Sequence, residues 1–391
     1  MENRQARVRL KPGREKSIQG RHPWVFSGAI EGLEGEASPG DLLKVVSHKG
    51  EFLAQGFYNP HSQIALRLLS FRKETLDADF FRQRLQQAID FRTKMAIPST
   101  ALRLVHGDAD GLPGLVLDAY GPYLVLQISS LGMNRIKPQL LEILQELLSP
   151  EGIIERSESA GLKEEGLESN KAVLRGPAEP RTLIEENGAK FAIDLLGGQK
   201  TGFFIDQRDN RQAVAKWTAG KRLLNCFSYT GGFSVLAALA GAQTTSVEIS
   251  EPAQALAREN FKLNGLDPEQ HQFITANVFD YLRQLEPSYE MIVLDPPAFV
   301  KNKNHLKQAC RAYQDINRIA MRQSLPDGLL LTCSCSHYLD WELFQKILFS
   351  AATESGRQVQ ILQRLGQPLD HPVSLFHPEG EYLKAFLLRV I

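Results

Sequence analysis

The first 190 residues follow two patterns of apolar and polar positions. Up to about residue 73, short β-rich runs are separated by turn residues, a pattern typical of a small β-barrel or sandwich. The predicted strands of this part are residues 8–10, 42–46, 52–57 and 63–69. Apolar residues then recur near helical spacing between Thr75 and Met95 and predict a connecting helix. Strands at 115–117 and 123–128 and a helix at 137–148 predict a small mixed module that ends near residue 190.

From about residue 191 onward, strand-like and helical segments alternate. The strand-like segments are residues 222–226, 244–248, 272–276, 291–294 and 328–332, with helical stretches such as 252–264 and 308–323 between them. This alternation predicts a mostly parallel, doubly wound α/β sheet. We therefore expect three parts: a β-rich domain at 1–73, a linker helix with a small central α+β domain at 74–190, and an α/β domain at 191–391.

Composition narrows the class of protein. The chain has 391 residues, of which 43% are hydrophobic and 23% charged, values typical of folded domains. It contains no run of about 18 apolar residues, which a transmembrane helix would need, and its charged N-terminus carries no secretory signal. Four cysteines in a chain of this length do not make a disulfide framework. A cytoplasmic location and no membrane partner are expected.

The distribution of charge changes the picture that net charge gives. The 45 basic and 45 acidic residues cancel, which by itself argues against a nucleic-acid partner. Residues 1–24, however, carry seven basic and two acidic side chains, and acid-rich stretches at 151–168 and 185–186 offset them. Such a basic segment can hold RNA phosphates, or it can be an ordinary solvated face.

Two of the predicted strands end in residues suited to a nucleoside. Ligands of open parallel sheets bind at the carboxyl ends of the strands. The turn from Asn225 to Phe233 contains Gly231 and Gly232, which let the backbone pass close to a ligand. The turn matches neither the dinucleotide pattern nor a phosphate loop, so a nicotinamide cofactor is disfavoured. Glu248 ends the next strand, where a carboxylate can accept both hydroxyls of a ribose or simply be solvated.

Two further loops suit planar rings. Asn277 stands beside an apolar pair that begins with Val278 and can bond an adenine edge, or it can cap a helix. In the next loop, Asp295 is followed by two prolines, which fix an extended and rigid backbone. Together with Phe299, that loop can clamp a planar base with Asp295 at the reacting centre. The four loops point to S-adenosylmethionine chemistry on a planar nitrogenous substrate.

Cys333 and Cys335 follow the next predicted strand. Two cysteines at this spacing without a second pair do not match a zinc site, and no metal is predicted. Carbon 5 of a pyrimidine becomes nucleophilic only after another nucleophile adds at carbon 6, and a thiolate beside the base-clamping loop suits that step. We interpret Cys335 as this nucleophile; two buried structural cysteines are the alternative.

With several further motifs, these residues resemble the RlmI-like family of ribosomal large-subunit RNA methyltransferases over nearly the whole chain. The motifs that carry the resemblance are KPGR at 11–14, HPWVF at 22–26, NP at 59–60, SQIA at 62–65, GLPGL at 111–115, GQKTGFF at 198–204, DQR at 206–208, SYTGGF at 228–233, DPP at 295–297 and CSCS at 333–336. The resemblance implies an N-terminal PUA domain at 1–73, a small central domain at 74–190 and a Rossmann-like class I methyltransferase domain at 191–391.

The resemblance also implies a reaction and a set of site residues. The reaction is methylation of carbon 5 of a cytosine in 23S (large-subunit) ribosomal RNA, with S-adenosylmethionine as cofactor. The expected cofactor-binding residues are Thr201, Phe203, Gln207, Asn225, Phe227, Tyr229, Gly231, Glu248, Asn277, Val278 and Asp295. The expected catalytic residues are Cys335 and Asp295, and the expected substrate-binding residues are Pro296, Pro297, Phe299, Lys11, Arg14 and Trp24. A homodimer stays open as an alternative to a monomer.

Two departures from related enzymes leave alternatives open. Asn225 stands where methyltransferases often have an acid, and Ala298 stands where related cytosine-5 enzymes have a second cysteine. The base that removes the carbon-5 proton is therefore unassigned. His337 lies near Cys335 in sequence and is one candidate. One competing function is methylation of an exocyclic amine of a base, which needs no thiol. The other is RNA binding by a catalytically silent fold.

Overall fold

The computed structural model describes residues 6–158, 161–177, 179–286, 288–299 and 305–391. The start of the basic N-terminal segment and part of the acidic stretch 151–168 lie outside the described residues. The chain forms two compact units. Unit 1 comprises Met1–Thr182, Ile193–Phe204 and Leu369–Gly380, and unit 2 comprises Leu183–Ala192, Ile205–Pro368 and Glu381–Ile391. The division into three domains at 1–73, 74–190 and 191–391 stays a prediction.

The first part of unit 1 is a β-sheet with one short helix. Its elements are β1 (Arg7–Leu10), α1 (Lys16–Gln19), β2 (Trp24–Phe26), β3 (Ile30–Glu34), β4 (Leu42–Val46), β5 (Phe52–Tyr58) and β6 (Ile64–Ser70). Within the described residues these strands form a six-stranded sheet in the order β2-β6-β5-β4-β1-β3. Alternate apolar side chains such as Val8, Val45 and Leu66 are buried in its core. The four predicted strands are confirmed to within a residue or two, and β2 and β3 are additional.

The second part of unit 1 mixes helices and strands, as predicted. Its elements are α2 (Ala78–Lys94), β7 (Ala101–His106), β8 (Leu115–Tyr120), β9 (Tyr123–Ile128), α3 (Leu131–Arg135), α4 (Lys137–Leu148), β10 (Gly152–Ser157), α5 (Leu162–Glu165) and β11 (Asn170–Arg175). The described strands form a sheet in the order β11-β10-β9-β8-β7. The Asp77 carboxylate accepts from the Phe80 amide (3.1 Å) and begins α2. The apolar face of α2, with Phe81 and Leu85, packs into the core of this part.

Unit 2 is built on the alternating strands and helices that the sequence predicts. From the hairpin before it onward, the elements are β12 (Arg181–Glu186), β13 (Ala189–Asp194), α6 (Arg208–Ala215), β14 (Arg222–Cys226), α7 (Gly232–Leu239), β15 (Gln243–Glu248), α8 (Glu251–Leu263), β16 (Gln272–Thr275), α9 (Val278–Gln284), β17 (Tyr289–Leu294), α10 (Leu306–Gln323), β18 (Ser324–Ser334), α11 (Trp341–Ser355), β19 (Val359–Gly366) and β20 (Lys384–Val390). In the described chain, seven strands pair in the order β16-β15-β14-β17-β18-β20-β19. Five run parallel, and β20 pairs antiparallel with both β18 and β19.

Apolar side chains cover both faces of this sheet. On one face, residues of α9, α10 and α11, such as Leu282, Tyr313 and Phe344, pack against the strands. On the other, residues of α6 and α7, such as Val214 and Phe233, form a second core. The doubly wound α/β fold is thus confirmed. Among the residues that the structure describes, no helix is both long and apolar enough to span a membrane.

The buried ion pair between Arg211 and Glu186 is expected to affect the stability of unit 2. Its two hydrogen bonds measure 2.7 and 2.6 Å, and both side chains are almost fully buried. We expect Arg211→Met to lower the free energy of unfolding by about 3–5 kcal/mol, because it leaves Glu186 buried without its counter-charge. Urea denaturation measures this change.

Two controls accompany that measurement. The exposed Arg389 also pairs with a carboxylate, that of Asp327, and Arg389→Met should cost only about 0–1 kcal/mol. The double variant Arg211→Met/Glu186→Leu should recover much of the lost stability, because no lone charge remains buried. A single Arg211→Met variant as stable as the parent would contradict the assignment.

Candidate active site

The register of the sheet in unit 2 aligns the carboxyl ends of its central strands. Cys226 of β14 is the ladder partner of Leu294 of β17, which in turn pairs with Thr332 of β18. On the other side, Cys226 pairs with Val247 of β15. Because parallel strands leave a sheet at the same edge, the loops that follow these residues emerge side by side. The sequence places its candidate chemistry in those loops.

The turn after β14 has an unusual backbone. Phe227 (φ 60°) and Tyr229 (φ 48°) adopt the left-handed conformation, which side chains rarely occupy, and Gly231 follows at φ 81°. A Cβ atom at Gly231 would lie 3.1 Å from the Cβ of Ala257, so the backbone conformation favours glycine and the space beside it is tight. Such strain persists where the surroundings enforce it, and it concentrates at binding sites.

Buried polar atoms lie unpaired in the same turn. The Asn225 amide donates to the Ser234 hydroxyl at 3.0 Å. The Asn225 Oδ1, Ser228 Oγ and Thr230 Oγ1 atoms are buried with no hydrogen-bond partner among the residues that the structure describes. Each such atom costs about 1–3 kcal/mol unless something outside the chain satisfies it. The turn is therefore suited to a polar ligand.

Glu248, at the end of β15, is bound to this turn. Its Oε2 accepts from the Tyr229 amide at 3.0 Å, and its Oε1 accepts from the Ile249 and Ser250 amides at 2.9 and 3.0 Å. A carboxylate offers about four accepting positions, so three are used by the backbone. The geometry leaves capacity on Oε2 for one further donor, where two ribose hydroxyls were expected.

Asn277 caps α9, the alternative that its sequence context left open. Its Oδ1 accepts from the amides of Phe279 (2.9 Å) and Asp280 (3.3 Å). An adenine contact by this side chain would therefore use the Nδ2 group. Val278 is buried in the core beneath the cap and supports the position of the helix.

Aromatic rings form a row along the same edge. The Phe279 ring centroid lies 6.4 Å from that of Phe227 and 5.9 Å from that of Phe299, and Phe299 lies 4.7 Å from Tyr313. In the loop that leads to Phe299, Pro296 is buried and Pro297 is exposed. The row offers flat apolar surfaces to planar rings.

The Asp295 carboxylate is held by the side-chain amide of Gln207. The Gln207 Nε2 group donates to Asp295 Oδ1 at 2.8 Å, and Asn210 orients Gln207 by donating to its Oε1 at 2.6 Å. Gln207 thus fixes the orientation of the Asp295 carboxylate, and its side chain opposes the effect of burial on the pKa of the Cys333 thiol.

The two cysteines of the motif have different environments. Cys333 is fully buried, and this burial, together with the charge of Asp295, raises the pKa of its thiol well above the ordinary value. Cys335 is half-buried at the end of β18 and packs against the edge of the same core. Because only a thiolate attacks carbon, the geometry favours Cys335 over Cys333 as a nucleophile.

The residues around Cys335 are held by specific contacts. The Ser334 hydroxyl donates to the hydroxyl of Tyr313 at 3.1 Å, and burial raises the pKa of Tyr313, so its phenol stays protonated. His337 is exposed, and its ring centroid lies 5.9 Å from that of Tyr382. The Tyr382 hydroxyl donates to Asp206 at 2.8 Å.

Two of the expected cofactor-binding residues belong to unit 1. The Thr201 hydroxyl donates to Asp118 at 2.7 Å and lies 2.8 Å from the Tyr120 hydroxyl. The buried Phe203 accepts from the same Tyr120 hydroxyl through its carbonyl at 3.2 Å. Their described contacts anchor the loop within unit 1, and their role at the cofactor stays a prediction.

The expected RNA-binding residues of unit 1 differ in exposure. Lys11 and Arg14 are exposed on one turn, where Lys11 Nζ donates to the carbonyl of Gly28 at 3.0 Å. Trp24 is half-buried: its indole donates to Asp108 at 2.8 Å, and the His377 ring centroid lies 4.3 Å from its own. Lys11 and Arg14 are therefore freer to reach phosphates than Trp24 is to stack on a base.

Sequence reasoning missed Tyr313 and Lys384, both of which contact the segment that carries Cys335. Lys384 Nζ donates to the Ser336 carbonyl at 2.8 Å. A signal for Lys384 was available, since it is a lysine inside the otherwise apolar run 383–388. Tyr313 carries no such signal, because an aromatic residue on an amphipathic helix is ordinarily part of the core.

Comparison with known proteins agrees with this geometry. Residues 168–389 match a family described as S-adenosylmethionine-dependent methyltransferase, and residues 8–71 match a PUA-like domain. The crystal structure of SMU.776, assigned as a methyltransferase and complexed with SAH, is 26% identical, with a TM-score of 0.85 over 98% of this chain and 100% of its own. The fold and the site thus define a methyltransferase that uses S-adenosylmethionine.

Two relatives are similar over almost their entire length. The ribosomal RNA large subunit methyltransferase I of Klebsiella pneumoniae is 44% identical over 393 residues, covering 98% of each chain. The protein of the same name from Photobacterium profundum is 45% identical over 392 residues, covering 98% of this chain and 99% of its own. The chain belongs to the ribosomal RNA large subunit methyltransferase I family.

The residues of unit 2 fit the cofactor of this family. The unpaired Asn225, Ser228 and Thr230 oxygens and the free capacity of Glu248 are polar groups of the kind that the amino-acid and ribose parts of a nucleoside sulfonium require. The aromatic row provides an apolar surface for a flat purine.

Binding of S-adenosylmethionine tests the assignment of Glu248. We expect Glu248→Gln to weaken binding about tenfold or more, because an amide has one accepting oxygen and leaves a turn amide or a ribose hydroxyl unpaired. Isothermal titration calorimetry measures the change in Kd. Glu259→Gln, an exposed position on α8, is the matched control and should bind as the parent does. Equal affinity of the parent and Glu248→Gln would remove Glu248 from the cofactor site.

Proposed function

We propose that this chain is a cytoplasmic enzyme that methylates carbon 5 of a cytosine in large-subunit ribosomal RNA. The observation that carries the chemistry is the position of the half-buried Cys335 beside the Asp-Pro-Pro loop, at the adjoining ends of β18 and β17. The names of its full-length relatives support large-subunit ribosomal RNA as substrate, and the PUA-like domain supports RNA binding.

The cofactor site in this proposal lies across the strand ends of unit 2. Asn225, Phe227, Tyr229 and Gly231 form the turn that holds its amino-acid part, and Glu248 accepts from its ribose. The Asn277 amide, Val278 and Phe279 would contact its adenine, while Gln207 and Asp295 border the reacting end. Bound there, S-adenosylmethionine supplies an electrophilic methyl group.

The thiolate of Cys335 begins the proposed reaction. Its sulfur would form a bond to carbon 6 of the cytosine, and the π electrons of the 5,6 double bond would move to carbon 5. Carbon 5 would then bond the methyl group as the sulfonium–methyl bond breaks, leaving S-adenosylhomocysteine. Loss of the carbon-5 proton to a base restores the double bond and expels the thiolate. His337, two residues beyond Cys335, remains the candidate for this base.

The base-clamping loop has two roles in this proposal. Gln207 holds Asp295 at Oδ1, and in this proposal the Asp295 carboxylate accepts from the exocyclic amine of a flipped cytosine. Pro296 and Pro297 keep the backbone extended, and the Phe299 ring lies against one face of the base. Lys11, Arg14 and Trp24 would hold the RNA through the PUA-like domain.

Trapping with RNA that contains 5-fluorocytidine tests this function. Fluorine at carbon 5 cannot leave as the proton does, so the parent should accumulate a covalent RNA adduct at Cys335. In Cys335→Ala the adduct should be absent and methylation should fall about a thousandfold or more, because the nucleophile is removed. Denaturing electrophoresis and tandem mass spectrometry measure both.

The control is Cys310→Ala, a half-buried cysteine on α10, which should form the adduct normally. An active Cys335→Ala variant together with a parent that forms no adduct would contradict carbon-5 chemistry and favour methylation of an exocyclic amine. If the parent does not bind S-adenosylmethionine, a catalytically silent fold that binds RNA would be favoured.

A further inference from the structure

Lys384 is a buried lysine in the last strand of unit 2. It begins β20 and is 2% exposed, with apolar residues following it along the strand. In the antiparallel ladder it is the partner of Ser334, the last residue of β18. Burying an ammonium group in an apolar core is costly, so the position requires a compensating contact.

That contact is with the segment that carries Cys335. Lys384 Nζ donates to the Ser336 carbonyl at 2.8 Å, and the Leu339 amide donates to the same oxygen at 3.3 Å. Lys384 therefore holds this segment at two points: its backbone pairs with Ser334, and its side chain bonds Ser336. Cys335 lies between the two.

Charged neighbours of Lys384 oppose the effect of burial on its pKa. Burial lowers its pKa, and Glu381, Asp340 and Cys335 oppose this effect. An electrostatic interaction acts on both partners. A positive charge at Lys384 therefore favours the charged form of the Cys335 thiol.

Acidic and other titratable groups from neighbouring elements affect the two cysteines. Asp295, after β17, and Asp206, before α6, raise the pKa of the Cys333 thiol, as does Cys335, and Cys335 also raises the pKa of Tyr313 on α10. His337 is the titratable neighbour on the Cys335 segment itself.

We propose that Lys384 is a positioning residue for the nucleophile: it fixes the Cys335 segment through Ser336 and stabilises Cys335 as a thiolate. This role rests on the proposed function only in taking Cys335 as the nucleophile. Lys384 transfers no proton, because its ammonium group provides the charge and the hydrogen bond.

The rate at which iodoacetamide alkylates Cys335, measured against pH in the absence of RNA, tests this proposal. Only the thiolate reacts, and a positive charge nearby lowers the pKa of a thiol by about one pH unit or more. We expect Lys384→Met to react about tenfold more slowly than the parent at pH 7. Lys384→Arg, which keeps the charge, should fall between the two. Tandem mass spectrometry assigns the label among the four cysteines.

Two further variants complete the design. Lys346→Met removes an exposed lysine of the same unit and should react as the parent does. Lys384→Gln keeps a donor near Ser336 without the charge, so it should share the slow alkylation of Lys384→Met, and it replaces that variant if Lys384→Met does not fold. Thermal melting of each variant reports folding.

The possible results are distinct from those of the trapping experiment. A pH profile of Cys335 alkylation that is identical in the parent, Lys384→Met and Lys384→Gln would overturn the proposal, whatever reaction the enzyme performs. A covalent adduct that accumulates with ordinary cytosine RNA in Lys384→Met, with an unchanged alkylation profile, would make Lys384 the proton acceptor and also overturn it. Alkylation that is slower in the Lys384 variants, in an enzyme that forms no 5-fluorocytidine adduct, would support the positioning role of Lys384 and contradict the carbon-5 reaction.

Discussion

Main-chain hydrogen bonds hold Cys226, Leu294 and Thr332 in one row across β14, β17 and β18. A slip of one residue in this register would turn every side chain of a strand to the opposite face, and both faces of the sheet are covered by cores. The packing of the two cores therefore fixes the register. The register in turn decides that the cofactor turn, the Asp-Pro-Pro loop and Cys335 leave the sheet together.

Burial separates the roles of two cysteines that differ by only two positions. Cys333 lies within β18 and is fully buried, and burial together with the charge of Asp295 raises the pKa of its thiol well above the ordinary value. Cys335 comes after the end of the strand, where the sheet no longer covers it. The chain thus places a reactive thiol at the end of a rigid strand, with its neighbours on both sides anchored.

Much of the fold was predictable because strands and helices differ in apolar period. The helix at 137–148 was predicted to the residue, and the strand 222–226 likewise. The strands at 24–26 and 30–34 were missed because they are short and the second contains a glycine. The sequence carries no signal for the grouping of residues 369–380 with unit 1, since such grouping depends on contacts between residues distant in sequence.

The candidate site was predictable in its residue types and less so in its contacts. That Asn277 caps a helix was one of two readings of its sequence, and only the position of α9 decides between them. Glu248 was expected to serve a ribose, but the amides that occupy most of its capacity come from a turn whose backbone conformation no sequence pattern encodes. Lys384 lies about 50 residues from Cys335 in sequence, and the antiparallel pairing of β20 with β18 brings the two together.

The identity of the methylated nucleoside tests the account most directly. Purified enzyme would be incubated with S-adenosylmethionine carrying a deuterated methyl group and with large-subunit ribosomal RNA, both free and in subunit particles. The RNA would then be digested and its nucleosides analysed by mass spectrometry. If the enzyme methylates carbon 5, the labelled methyl group appears in 5-methylcytidine, with the carbon-5 hydrogen lost. Label in a nucleoside methylated on an exocyclic amine, and none in 5-methylcytidine, would contradict it.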